Sequence, residues 1–107
     1  MGSIPMWAAN FNSMVKLFIF IYRKLKGSYS EYSGGCLRFH FLLKKVFAGE
    51  GYYNSNHIIT KIGENYYDIN GEVKDVKDYL PITYYGVAHI VSSFKDVVPK
   101  DEIIKNI

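Results

Sequence analysis

With 107 residues, 49% hydrophobic and 21% charged, the chain suits one compact domain that builds its core without covalent staples. Its single cysteine excludes an intramolecular disulfide and any Cys-rich zinc module, and the apolar content excludes disorder as the main state. A net charge of +3, from 13 basic and 10 acidic residues, is too mild to argue for nucleic acid. Lys, Tyr, Ile and Asn are frequent, a usage common in AT-rich genomes such as those of low-GC bacteria and their phages.

Asn12 or Ser13 can cap a helix that runs to about Lys26 and stops at Gly27. Met14, Leu17, Phe18, Ile21 and Leu25 form its apolar stripe. Phe20 and Tyr22 widen it, so more than one side is expected to be covered. The apolar run Leu17–Tyr22, bounded by Lys16 and by Arg23-Lys24, is too short to span a bilayer. It also lacks the order of a signal peptide, so the expected location is the cytoplasm, that of the host if a phage encodes the chain. Membrane-surface binding, helped by Arg23, Lys24 and Lys26, is the functional alternative to packing for this helix. Packing is the expectation, and no membrane partner is assigned.

Gly27–Gly35 is a polar, glycine-rich loop leading into a second helix, Cys36 to about Ala48. Leu37, Phe41, Val46 and Phe47 are its expected buried residues, and Gly49 its stop. Gly51 and Asn54-Ser55-Asn56 signal a turn. The period then changes. His57–Ile62 and Tyr66–Ile69 read as two strands joined at Gly63-Glu64-Asn65, a hairpin. Val73–Tyr79 is too charged to assign, a short helix being one option. Tyr84–Val91 is a third strand candidate. Pro99 can open a closing helix, Lys100–Lys105. The fold class expected is α+β, over a single domain 1–107, with N-terminal helices packed on a small antiparallel sheet.

The chemistry-bearing order is Cys36 at a helix start, His57 at a strand start and Asp68 on the next strand. Unpaired N–H groups at the helix start favour a thiolate, and Ser33-Gly34-Gly35 lets a substrate backbone approach. His57 can accept the thiol proton, and Asp68 can orient the ring. The hairpin turn places Asp68 opposite Thr60, so contact with His57 requires a twist or a slip in pairing. Cys36 and His40, four apart on one helical face, could with His57 hold zinc. No metal or cofactor is assigned.

The stretch from Gly34 to Val73 resembles the core of papain-like and transglutaminase-like thiol enzymes, closest in style to small phage and bacterial proteins. The residues that carry the resemblance are Gly35-Cys36, Leu42-Leu43, His57-Ile58-Ile59, Ile62-Gly63, Tyr66-Tyr67-Asp68 and Gly71. It implies a papain-like or transglutaminase-like core and a Cys–His–Asp triad on Cys36, His57 and Asp68. The implied activity is hydrolysis of, or acyl transfer from, an amide or peptide bond in a peptide or protein substrate. Papain-like peptidases carry a glutamine shortly before the cysteine, and this sequence has no glutamine. The backbone N–H of Cys36 and one of Asn10, Asn12, Ser33 or Asn56 are therefore the oxyanion candidates.

The tyrosine pairs Tyr52-Tyr53 and Tyr84-Tyr85 are binding candidates, since one of each pair faces outward on a strand and exposed tyrosine suits interfaces. They support an alternative, a phage-encoded, non-catalytic protein that binds and inhibits a host defence or regulatory protein. His89, in an apolar run, reads as a half-buried structural residue. Aromatic and basic residues together leave nucleic acid without a supporting motif.

Overall fold

A computed structural model describes residues 6–26, 35–55 and 57–107. Helix α1 is Met6–Lys26 and α2 is Gly35–Phe47. Five strands follow: β1 (Glu50–Asn54), β2 (His57–Ile62), β3 (Asn65–Asp68), β4 (Gly71–Val73) and β5 (Leu80–Pro81). The chain closes with α3 (Ile82–Tyr85), α4 (Val87–Phe94) and α5 (Lys100–Asn106). The architecture is α+β, with a five-stranded antiparallel sheet ordered β4-β3-β2-β1-β5.

Helix α2 organises the interior because its apolar residues fall in two i, i+4 pairs. Leu37 and Phe41 join Ile58, Ile82, Ile90 and Phe94 in one cluster. Phe39 and Leu43 join Ile62, Tyr67 and the α1 residues Val15 and Ile19 in the other. Thus α2 and β2 each feed both clusters. The expected burial of Val46 does not occur; it is half exposed, and Phe39 and Leu43 take that role.

Helix α1 begins at Met6, before the expected Asn12 or Ser13 cap. Among its described side chains the buried ones are Val15 and Ile19, flanked by half-buried Phe11, Phe18 and Tyr22. The expected stripe lies largely on the other side, since Met14, Leu17, Phe20, Ile21 and Leu25 are all exposed. An apolar sequence on both sides of a helix allows either stripe, and among the described side chains one side alone is covered.

Turn chemistry sets the strand register. Gly63, with φ +64°, and Glu64 form a two-residue hairpin turn, and Asn65 already pairs with Ile62. Tyr67, not Asp68, therefore faces Thr60. Glu50–Asn54, read from sequence only as turn signals, is a full strand between β2 and β5. Helix α2 stops at Phe47, and the left-handed residue just after it is Ala48, at φ +60°, one position before the expected stop at Gly49. Gly49 is needed for space instead, because a Cβ there would lie 2.4 Å from the Thr60 methyl.

One element assignment is corrected, and one left open is filled. Residues 84–91 are helical rather than a strand, with Ile90 and Phe94 buried four apart and Gly86, at φ +92°, separating α3 from α4. The strand in that part of the chain is Leu80–Pro81, whose proline sits on an outer strand where no further ladder partner is needed. Residues 74–79 are loop and turn, not a short helix. The closing helix after Pro99 is present and runs to Asn106. No helix among the described residues is long and apolar enough to cross a membrane.

Candidate functional site

Leu37 and Ile58 pack in one cluster, and each is preceded in sequence by a candidate site residue, Cys36 and His57. Cys36 occupies the first turn of α2, partly exposed and packed against that cluster. His57 opens β2. Asp68 closes β3, one step past the Thr60–Tyr67 pair and so alongside Ile59. Alternation along the strand then gives Asp68 the same side as His57, a diagonal neighbour about 7–8 Å away between Cα atoms. The slip that contact requires is the one-residue shift made by the tighter turn.

The side chains meet. His57 Nε2 lies 3.2 Å from Asp68 Oδ2. The other Asp68 oxygen accepts the Asn70 backbone N–H at 2.8 Å, which fixes the carboxylate plane. The His57 pKa is pushed up to about 9, first by the hydrogen bond with Asp68 and next by one with Cys36, with burial acting in the opposite direction. With Nε2 engaged by the carboxylate, Nδ1 is the nitrogen left for sulfur. His57 is thus a partly buried cation at neutral pH, between the Asp68 carboxylate and the Cys36 sulfur.

Tyr79 completes the surroundings. Its ring meets that of His57 edge-on, with centroids 6.4 Å apart. Its pKa is raised by burial and by the nearby Asp68 and Cys36 charges. Sequence reasoning missed Tyr79. It lies in an irregular, charged segment with no periodicity, and only the return of the chain to β5 brings it to the site.

The remaining candidates separate. Asn12 is far from any oxyanion role beside Cys36, because its Oδ1 accepts the Tyr67 hydroxyl proton on the opposite core cluster. Asn10 lies in α1 outside the side chains described, and Ser33 and Asn56 lie outside the described residues. Tyr53 is not a surface residue: it is 4% exposed, and its hydroxyl donates to Ser93 at 3.1 Å. Tyr52 is half-buried, edge-on to Tyr66 at 5.1 Å. Tyr84 is 71% exposed, and Tyr85 stacks on His89 at 5.1 Å. His89 itself is exposed on α4 rather than half-buried in a strand.

His40 leaves the site altogether. It is 2% exposed, its Nδ1 lies 2.8 Å from Thr60 Oγ1, and burial pushes its pKa down to about 4. Its other nitrogen, Nε2, faces Gly51 in the interior, away from Cys36 and His57. Among the described residues, no three His, Cys, Asp or Glu side chains are arranged to hold a metal ion.

Residues 21–98 match the model of the family described as Phage YunG-like protein. The chain belongs to that family. All three residues that meet at the site, and Tyr79, fall inside the matched span. The phage side of the resemblance is carried by this match, whereas the papain-like and transglutaminase-like side has no match behind it. No curated protein and no solved structure matches the chain.

Proposed function

We propose that this phage-family protein is a small thiol hydrolase or acyl-transfer enzyme acting on an amide or peptide bond, built on a papain-like or transglutaminase-like core. The observation that carries the reading is a single imidazole engaged by Asp68 and Cys36 at once. In the proposed step the Cys36 thiolate forms the S–C bond to the carbonyl carbon, and the His57 imidazolium gives its proton to the amine as the C–N bond breaks. Water or an acceptor amine then attacks the thioester, with His57 taking up the incoming proton. Asp68 keeps the ring oriented and its charge balanced throughout. The Cys36 backbone N–H at the helix start, with the Tyr79 hydroxyl nearby, is the proposed oxyanion support in a chain without glutamine.

The probe is p-nitrophenyl acetate. Wild type should release a burst of nitrophenol and carry one acetyl group on Cys36, and Cys36→Ser should do neither. Turnover by Cys36→Ser at the wild-type rate would retire the enzyme reading. The second reading, a non-catalytic inhibitor of a host protein, is favoured by one observation. Tyr84 is exposed, as are Leu80 and Val87 nearby in the sequence, both at least 40%, and an exposed tyrosine suits an aromatic anchor for a partner.

A further inference from the structure

We propose that the outward side of α1 is a docking surface for an anionic lipid bilayer, on which the helix lies in the plane of the headgroups. Met14, Leu17, Phe20, Ile21 and Leu25 are 47–77% exposed while Val15 and Ile19 hold the helix to the core. At 100° per residue the five exposed side chains share one arc of the helix, opposite the buried one. Helix α1 carries Lys16, Arg23, Lys24 and Lys26 and no acidic residue. An apolar face bordered by cations is the pattern of a helix that binds a membrane surface without spanning it.

The charge decides between occupants. Pairing two copies through this face would bring cations together with no acid on either helix to neutralise them, whereas anionic headgroups supply the missing charge. Size points the same way. A stable protein pair buries about 800 Å² per partner, from about 20–30 residues, and this strip offers five apolar side chains. Beside it, Lys16, Arg23 and Lys74 line a cavity of about 340 Å³ between α1 and the β3–β4 turn. Glu72 there pairs with Lys16 and Lys74 at 3.3 and 3.0 Å. Arg23 has no carboxylate partner among the described residues and is the natural contact for a headgroup phosphate.

The test is flotation of the full chain with vesicles of phosphatidylcholine alone or mixed equally with phosphatidylglycerol. Wild type should float with the mixed vesicles only, and high salt should release it. Leu17→Glu with Leu25→Glu, both at exposed positions, should lower binding at least tenfold with an unchanged circular dichroism spectrum. Arg23→Glu with Lys24→Glu should do the same without touching an apolar residue. Failure of wild type to float, or undiminished flotation of both variants, overturns the proposal. A lipid-free dimer that Leu17→Glu with Leu25→Glu splits overturns it in favour of a second copy.

Discussion

His57 opens β2 and His40 packs against the same strand at Thr60, three residues along, and the fold treats the two in opposite ways. His40 meets Thr60 in the interior and is held neutral, with its pKa down at about 4. His57 stands at the strand end between Asp68 and Cys36 and is held charged, with its pKa up at about 9. Burial alone disfavours an imidazolium, and two anionic or hydrogen-bonding partners more than reverse that. The lesson is that the partner set, not the residue type, divides a packing histidine from a chemical one.

The comparison breaks most readily at Gly51. A Cβ there would lie 2.7 Å from His40 Nε2 and 2.4 Å from Ile82 Cδ1, so the interior histidine exists in its place only because residue 51 has no side chain. Gly51→Ala should cost about 1–3 kcal/mol by overpacking, read by urea denaturation, with little effect on the chemistry at Cys36. The same experiment at the other site should give the reverse pattern. His57→Ala should slow alkylation of Cys36 by iodoacetamide at pH 6.5 about tenfold, because the neighbouring cation that attracts a thiolate is gone. Cys36 is the only thiol, so the label reports it alone. Equal rates in wild type and His57→Ala would make Cys36 an ordinary packed residue.

Thr60→Val sharpens the interior half. It leaves His40 Nδ1 buried without its partner and should cost about 1–2 kcal/mol while alkylation stays at the wild-type rate. The smallest effects are in the pH profile. The folded pKa of His40 lies below the ordinary 6.5, so the unfolded chain binds the extra proton and stability falls as pH drops from 6.5 to 4. The folded pKa of His57 lies above 6.5, so its contribution is complete below 6.5 and is lost as pH rises through about 9. Thermal melts should therefore show Asp68→Asn flattening the alkaline arm and His40→Gln flattening the acid arm.

What was legible in the sequence followed the range of the signal. Cys36, His57 and Asp68 could be singled out because a glycine loop before a helix and a hairpin with a Gly in its turn are local patterns. Their meeting was one residue out of register, since Asn65 was counted in the turn when it belongs to the ladder. The role of His40 was not legible. Its neighbours Gly51 and Ile82 come from separate parts of the chain, and only the packed sheet brings them together. Helix α1 misled for a different reason. Both its sides are apolar, so periodicity could not say whether Val15 and Ile19 or Leu17 and Ile21 faced inward. The strand expected at residues 84–91 failed because short apolar runs fit either period, and the i, i+4 spacing of Ile90 and Phe94 prevailed.

The central claim is that His57 is shared between Asp68 and Cys36, and NMR titration of its ring tests this most directly. With three histidines in the chain, the resonances can be assigned by substitution. The account predicts that His57 titrates near 9 in the wild-type protein, and that both Asp68→Asn and Cys36→Ala move it down towards 6.5. A wild-type His57 that titrates near 6.5, unmoved by either substitution, would contradict it.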